Sequence, residues 1–371
     1  MKECRSLRWA FLGLLLFQAS CNADEPVPET SESSWRMDGV PVFAVGGEPS
    51  GPTSDIYNVS GAVRLSDGRM VIADGAPRLL VLDSMGTYLE TWGGEGDGPG
   101  EFRRMSWMQL VPGDSIVVYD PVLARVQFFT GGGEYAGSVR PDVPRWALVG
   151  RSRDGGWVSR RFPTQSPTVP EDGVSPPRDV MVLSHEADGS GEELLGTLEG
   201  GEEIVLPTGS IYFGLHPLRE LRIAVGPREV YATSGRRFEI QVYDLDGGPG
   251  RVLSRESPLV PLTPQIMADA IVADGGSVRV EDIPPLPSEQ TLPAISGLVV
   301  DREGNVWAEA YDPELANART WSVFEPSGQL LAEVTMPPRF RPYDIGADFV
   351  LGVIRDQLDV ERIHMYRLHR P

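Results

Sequence analysis

The 371-residue sequence predicts an all-β fold, a six-bladed β-propeller with four-stranded blades. Three observations support this prediction: a repeat of about 45 residues, a match between the two ends of the chain, and a high glycine and proline content. The 42 glycines and 33 prolines suit a chain of short strands joined by many tight turns. The repeat predicts the blades, and the matching ends predict how the ring is closed.

Six copies of the repeat can be traced, the first two most clearly: residues 65–89, 110–136, 147–198, 222–247, 298–331 and 348–368. The first two copies each have a glycine turn and an apolar strand that ends in Asp74 or Asp120. An arginine follows at the same place in both, Arg78 and Arg125, and we expect it to pair with carbonyls or carboxylates between blades. Each copy therefore predicts one blade.

The last copy stops after its third strand, and the N-terminal region supplies a matching fourth. Gly39–Glu48 (GVPVFAVGGE) aligns without gaps on Gly86–Glu95 (GTYLETWGGE), the fourth-strand stretch of the first copy. We therefore expect an N-terminal strand to complete the last blade. Such a closure pairs the chain ends and removes an exposed sheet edge.

Two insertions widen the spacing of the middle copies, at about residues 163–177 and 261–290. The first contains five prolines and predicts a surface loop. The second begins with Thr263 and Pro264, a favourable N-cap and first helical residue, and predicts a short amphipathic helix over Thr263–Asp274. Two roles are open for this helix: packing against the propeller side, or acting as a lid over one end of the central channel.

The N-terminus has the pattern of an export signal. A basic start is followed by the apolar stretch Trp9–Phe17, which is too short to span a bilayer, and then by Ala19, Ser20 and Cys21. We interpret residues 1–20 as a signal peptide and Cys21 as a lipidated residue. The alternative is an ordinary signal peptide cleaved near Cys21.

Residues 21–37 are then a lipid-anchored flexible tether, because the segment is acidic, rich in proline and serine, and poor in apolar residues. The only other cysteine, Cys4, leaves with the signal, so the exported chain has a single thiol available for acylation. The residue after Cys21 is Asn22 rather than aspartate, which favours transport of the lipidated protein to the outer membrane. We predict that the protein is anchored in the bacterial cell envelope.

The formal net charge of −20 argues against two classes of partner. A polyanionic surface repels nucleic acid and anionic lipid headgroups. We therefore expect no nucleic-acid binding and membrane contact only through the lipid anchor.

Candidate ligand-binding residues are few. Asp74 and Asp120 end equivalent strands, so they could form part of a carboxylate ring that binds a cation or a basic ligand; alternatively, they cap turns by accepting backbone N–H bonds. The glycine-rich stretch Gly93–Phe102 could offer carboxylate oxygens to Ca²⁺, or it could be a connector in which glycine supplies positive φ. The four histidines have no metal-binding spacing, and no GxSxG motif occurs.

The repeats resemble those of NHL-type propellers and, more closely, of bacterial six-bladed propeller lipoproteins of the TolB-like class. The resemblance is carried by the following segments: Gly68–Asp74, Asp83 to Gly86, Gly94–Phe102, Arg125–Phe129, Gly304–Ala308 and Leu351–Glu361. It implies the fold and an exported location. NHL-type propellers mostly bind proteins or other polymers, whereas related six-bladed rings include calcium-dependent lactonases and a zinc-dependent amidating lyase.

We therefore predict a non-catalytic binding or scaffold module of the cell envelope, with an envelope protein or polymer as its partner and no cofactor. The alternative is a propeller hydrolase or lyase that uses Ca²⁺ bound in the channel. The sequence identifies no catalytic residue for the alternative.

Overall fold

The computed structural model describes residues 35–162, 173–175, 177–215, 217–248, 250–273, 275–314, 317–356, 358 and 360–371. The chain divides into two units, residues 1–33 and 34–371, and the described residues belong to the second. The predicted signal peptide, Cys21 and most of the predicted tether lie outside the described residues. Among the residues that are described, no helix is long and apolar enough to span a membrane.

The described chain is almost entirely β-structure. Two short strands, β1 (Arg36–Met37) and β2 (Phe43–Val45), precede the first sheet, which contains β3 (Gly61–Arg64), β4 (Met70–Asp74), β5 (Arg78–Leu82) and β6 (Tyr88–Trp92). A small parallel pair, β7 (Gly94–Glu95) and β8 (Glu101–Phe102), leads to the second sheet, which contains β9 (Trp107–Val111), β10 (Ser115–Asp120), β11 (Arg125–Phe129) and β12 (Tyr135–Val139).

Between the second and third strands of the third sheet, the chain passes through one strand of the first insertion, which belongs to a different sheet. The third sheet contains β13 (Leu148–Arg151), β14 (Trp157–Arg161), β16 (Asp179–His185) and β17 (Glu193–Glu199). A separate three-stranded sheet combines β15 (Gly173–Ser175), from the first insertion, with β18 (Glu203–Val205) and β19 (Ile211–Phe213), which follow the third sheet in the chain. The fourth sheet contains β20 (Arg222–Val225), β21 (Glu229–Thr233), β22 (Glu239–Asp244) and β23 (Arg251–Ser254).

The last two sheets follow the single α-helix of the described residues, α1 (Pro264–Ala273), and a short 3₁₀ turn (Val280–Asp282). The fifth sheet contains β24 (Ile295–Val300), β25 (Val306–Ala310), β26 (Arg319–Phe324) and β27 (Leu330–Met336). The sixth contains β28 (Phe340–Ile345), β29 (Phe349–Arg355) and β30 (Glu361–His369), with β1 and β2 paired to β30.

The strands of these six sheets pair antiparallel, and they follow chain order except that β1 and β2 pair with β30 in the sixth sheet. Their first strands touch one another: β3 contacts β9, β9 contacts β13, β13 contacts β20, β20 contacts β24, and β28 contacts both β24 and β3. Apolar cores fill the spaces between neighbouring sheets, so the second and third strands of the first two sheets are buried almost throughout. In β4 and β5, for example, all residues except Arg78 are buried. The arrangement is consistent with a β-propeller.

The structure confirms that the N-terminal segment completes the last sheet. Phe43 pairs with Met365 and Val45 with Ile363, on the outer edge of β30. A second tie follows, because the backbone N–H of Val59 donates to Glu361 Oε2 over 2.7 Å. The first described strands and the C-terminal strand β30 are thus held together by backbone and side-chain bonds.

The insertions are partly as predicted. The helix predicted over Thr263–Asp274 is present as α1. The prediction that residues 163–177 form only a surface loop is wrong for Gly173–Ser175, which pairs with β18. Local sequence could not reveal this strand, because its partner lies about 30 residues away and its core is completed by α1. Residues 163–172 lie outside the described residues.

Candidate functional site

A cavity of about 1770 Å³ lies between the first strands of the six sheets. All six first strands contribute lining residues, from Val63 on β3 to Arg341 on β28. Ligand pockets usually measure roughly 300–1,000 Å³. This cavity therefore has room for a ligand larger than a typical small metabolite, or for the end of a polymer.

The two ends of the cavity have different boundaries. At one end the turns that follow the first strands contribute Asp114, Arg153 and Pro227. At the other end α1 contributes Ile266, Asp269, Ala270 and Ala273. We call the second end the helix end.

Packing fixes α1 beside the strands that begin at the helix end. Its buried residues Met267 and Ile271 share a core with Leu218 and Leu292, which shortly precede β20 and β24. The three-stranded sheet packs into the same core through Ile204. The three-stranded sheet, which includes β15 of the first insertion, therefore shares one core with α1 of the second insertion. The role of α1 as a lid stays a prediction.

Local sequence explains where α1 begins and ends. Thr263 Oγ1 accepts the backbone N–H of Ile266 over 3.2 Å, and Pro264 has no N–H to leave unpaired. At the other end Gly275 adopts a φ of 84°, and its N–H donates to the carbonyl of Val272. The helix has one buried and one exposed face: Met267, Ala268 and Ile271 are buried, whereas Val272 is 54% exposed.

A glycine on the first strand of the fifth sheet opens this cavity toward the strands behind it. A Cβ atom on Gly297 would lie 2.7 Å from Glu309 Oε2 and 2.9 Å from Trp321 Cη2. Glu309 is the register partner of Gly297 on β25, and Trp321 is the partner of Glu309 on β26. We call the space left by the missing side chain the Gly297 notch.

Glu309 is the titratable carboxyl in this notch, and its side chain is 18% exposed. Burial raises the pKa of Glu309 above its usual value, while a hydrogen bond with Ser296 and the guanidinium charges of Arg319 and Arg222 act in the opposite direction. Arg319 Nε lies 3.8 Å from Glu309 Oε1, and its Nη1 donates to the carbonyl of Asp312 over 2.7 Å. The notch thus holds a carboxyl that is desolvated and flanked by cations.

Two other arginines that line the cavity are paired with carboxylates. Arg222 forms an ion pair with Glu220 and donates Nε–H to the carbonyl of Ser296 over 2.9 Å. Near the opposite end, Arg302 binds Asp344, and Asp344 Oδ2 also accepts the backbone N–H of Arg64 over 2.8 Å. The bonds among Arg302, Asp344 and Arg64 join the fifth, sixth and first sheets, so these residues stabilise the fold.

Asp74 is buried in the first sheet, and it does not line the cavity. Its Oδ2 accepts two bonds from Arg78, whose Nη2 also binds Asp55, whereas its Oδ1 is buried without a hydrogen-bond partner among the described residues. Burial raises the pKa of Asp74 to about 6, against the opposing effect of Arg78. Arg78 therefore pairs with carboxylates, as its place in the repeat predicts.

Asp120 occupies the equivalent place in the second sheet and is also buried away from the cavity lining. Its two oxygens accept four backbone N–H groups, from Arg103, Arg104, Val122 and Leu123, over 2.6–3.0 Å. This is the turn-capping arrangement. The structure does not bring Asp74 and Asp120 together, and their assignment as ligand-binding residues stays a prediction.

The glycine-rich stretch Gly93–Phe102 connects the first and second sheets. Arg125 donates to three of its carbonyls, those of Asp97, Gly98 and Glu101. Two of the carboxylates considered for Ca²⁺, Glu95 and Asp97, form ion pairs with Arg103. The geometry is that of a connector held by arginine.

Within the part of the chain that the structure describes, no group of three or more His, Cys, Asp or Glu side chains is placed to hold a metal ion. The buried pair of Ser159 and His185, 2.7 Å apart, is not among the residues that line the cavity. His185 Nδ1 also contacts the carbonyl of Gly191 at 2.9 Å. This pair satisfies two buried polar groups of the third sheet.

Sequence reasoning missed the Gly297 notch and its residues Glu309 and Arg319. A signal was present, because Glu309 stands five residues after its turn glycine, where the first copy has Ala73. Gly61, the register partner of Ala73, occupies the place of Gly297. A charged residue at a position that is apolar in another copy could have identified the site.

No protein-family model matches this chain, and no curated protein matches it. A solved structure of a member of the DUF4221 family from Bacteroides vulgatus is similar, with a TM-score of 0.52 at 10% sequence identity, over 91% of this chain and 99% of that chain. This likeness shows a shared fold alone.

Two further solved structures have lower scores. The WD40 repeats of RRP9 match with a TM-score of 0.43 at 10% identity, over 85% of this chain and 95% of that chain. Virginiamycin B lyase from Staphylococcus aureus matches with a TM-score of 0.37 at 11% identity, over 89% of this chain and 88% of that chain. Neither likeness bears on what this chain binds.

Proposed function

We propose that this chain is an exported six-bladed β-propeller, anchored by lipid at Cys21, that binds an envelope protein or polymer in its central cavity without catalysing a reaction. The observation that carries the proposal is the cavity itself, which is about 1770 Å³ in volume and has α1 at one end. A concave site with a few positioned polar groups is the usual form of a binding site.

The count of six blades is supported by the contacts of the first strands. Starting from β3, successive contacts lead through β9, β13, β20, β24 and β28 and return to β3. The N-terminal strands on β30 supply the closure that such a ring needs.

A binding role is favoured over a catalytic one by the state of the cavity's charged groups. Arg222 is paired with Glu220, Arg302 with Asp344, and Asp301 accepts bonds from Asn305 and Trp307. Groups committed to such bonds position the walls of the cavity. No observation on the described residues favours the calcium-dependent alternative.

The proposal can be tested by narrowing the helix end. Ala273 is the last residue of α1 and lines the cavity, whereas its neighbour Val272 is not among the lining residues. We expect Ala273→Trp to reduce the recovery of the partner from envelope extracts by about tenfold, or about 1.4 kcal/mol in affinity, and Val272→Trp to leave recovery unchanged. Mass spectrometry of material bound to the purified mature chain measures both.

Equal recovery by the two variants would show that the partner does not use the helix end. The catalytic alternative has a separate test, elemental analysis of the purified protein. A tightly bound metal at one equivalent per chain would contradict the non-catalytic proposal.

A further inference from the structure

Arg341 is an exposed arginine on β28 that lines the cavity. Its guanidinium lies 4.9 Å from the centre of the Tyr343 ring, and the Tyr343 hydroxyl donates to the carbonyl of Val59. The arginine is thus oriented by an aromatic ring that is itself held by the backbone. A stacked guanidinium keeps its N–H groups available at its edge.

Arg339 lines the same part of the cavity, just before β28. Its Nη1 donates to the carbonyl of Asp356 over 3.1 Å, and its φ of 56° is unusual for a residue other than glycine. The Asp356 carboxylate instead accepts the backbone N–H groups of Leu358 and Val360. A neutral carbonyl therefore orients the Arg339 guanidinium.

The charge of these two arginines is not compensated within the described residues. No carboxylate oxygen of those residues lies within 4.0 Å of either guanidinium. Three other arginines that line the cavity do have such a partner: Arg222 has Glu220, Arg302 has Asp344, and Arg319 lies beside Glu309. Arg153, in the turn at the opposite end of the cavity, has no such partner among the described residues. Arg341 and Arg339, two residues apart in the chain, are thus oriented but uncompensated cations in a chain with a net charge of −20.

We propose that Arg341 and Arg339 bind an anionic group of the ligand, a carboxylate or a phosphate. This inference rests on the proposed function, because it assigns ligand chemistry to the same cavity. The guanidinium fork matches the geometry of both anions and can bind either through two parallel hydrogen bonds. Glu361, whose charge acts on Tyr343, is already engaged, since it binds Arg355 and accepts the backbone N–H of Val59.

Because the protein as a whole is acidic, the positive charge of Arg341 and Arg339 would make the cavity selective for anionic ligands. A net charge of −20 disfavours general adsorption of anions, so retention of one requires a site of opposite charge. A neutral ligand would leave both guanidinium charges uncompensated. A cationic ligand would be repelled by them.

The experiment uses the full mature chain in detergent and two simple probes, inorganic phosphate and succinate, at constant ionic strength. Phosphorus line broadening measures the first, and saturation-transfer NMR measures the second. We expect saturable binding of at least one probe and a loss of about tenfold in affinity, about 1.4 kcal/mol, in Arg341→Gln. The probe that binds more tightly identifies the anion class.

Two control variants make the result specific. Arg341→Lys keeps the charge and should retain part of the binding. Arg367→Gln removes an exposed arginine from β30 of the same sheet, outside the cavity lining, and should bind like the unaltered chain. The proposal is overturned if neither probe saturates, or if Arg341→Gln and Arg367→Gln have equal affinities.

The outcome can be separated from that of the proposed function. Loss of the envelope partner in Ala273→Trp, together with no anion binding, would leave the cavity as the binding site and reject only its anion specificity. Anion binding that depends on Arg341, with partner recovery unaffected by Ala273→Trp, would support the anion site and reject the helix end as the entrance.

Discussion

Equivalent residues of the repeat have acquired different environments. Asp74 and Asp120 end equivalent strands, yet Asp120 accepts four backbone N–H groups whereas Asp74 depends on Arg78 and has one buried oxygen without a partner. Backbone amides stabilise a carboxylate without requiring a second charge. The repeat predicts the position of both aspartates, but the neighbouring loop determines how each is stabilised.

Asp74 should make the stability of the protein depend on pH. Its pKa is about 6 in the folded chain and 3.8 in the reference state, so the folded chain favours the protonated form. The resulting stabilisation is fully present below about pH 4 and is lost as the pH rises through 6; at 1.36 kcal/mol per unit it amounts to about 3 kcal/mol.

Urea unfolding of the unaltered chain and of Asp74→Asn, from about pH 4 to pH 7, measures this contribution. We expect the free energy of unfolding of the unaltered chain to fall with rising pH relative to that of the variant. A constant difference between the two across this range would contradict the raised pKa of Asp74.

Gly297 gives a second prediction at this scale. Its φ is not in the left-handed region, so the cost of Gly297→Ala comes from the contact of the new Cβ with Glu309 and Trp321. We expect a loss of about 1–3 kcal/mol in the free energy of unfolding, as for other overpacked sites. Gly94→Ala is the control, because its Cβ would meet no atom within 4 Å. Equal stability of the two variants would show that the notch is not tightly packed.

The N-terminal strands are the element that joins the two chain ends. Phe43 and Val45 on β2 are nearly buried and pack with Leu82 of the first sheet as well as Ile363 of the last. Removal of this element exposes the edge of β30 and the apolar residues beneath it. Its contribution to stability therefore exceeds that of its few backbone hydrogen bonds.

Truncation tests this role. A chain that begins at residue 49 should lose about 3 kcal/mol or more of unfolding free energy, the cost typical of deleting one large buried side chain, and should aggregate through β30. A chain that begins at Trp35 keeps both strands and is the matched control. Equal unfolding free energies for the two chains would mean that the ring is stable without its N-terminal strands.

The insertions show how far local signals extend. Thr263 and Pro264 predicted the first residue of α1, because capping depends on neighbours in sequence. The strand Gly173–Ser175 was missed, because it exists only through pairing with β18 and a core shared with α1. Pairing between distant segments leaves little trace in a segment of three residues.

At the scale of the whole molecule, the sequence predicts attachment to the membrane through one residue. Cys21→Ala should move the protein from the membrane fraction to the soluble fraction, because the single acylation site is lost. Fractionation of cells and labelling with a radioactive fatty acid measure this change. A variant that stays in the membrane fraction would refute acylation at Cys21.

The sequence by itself determined the repeats, the closure by Gly39–Glu48 and the inserted helix, because strand periodicity, turn glycines and helix caps are local. Only the tertiary structure decided which residues meet in the cavity. Glu309 lies beside Arg319 and behind Gly297 because β24, β25 and β26 pair side by side in one sheet. Arg341 is uncompensated because no carboxylate of the described residues lies within 4.0 Å of its guanidinium. Repetition made the framework residues visible, whereas the candidate site consists of residues at which the copies differ.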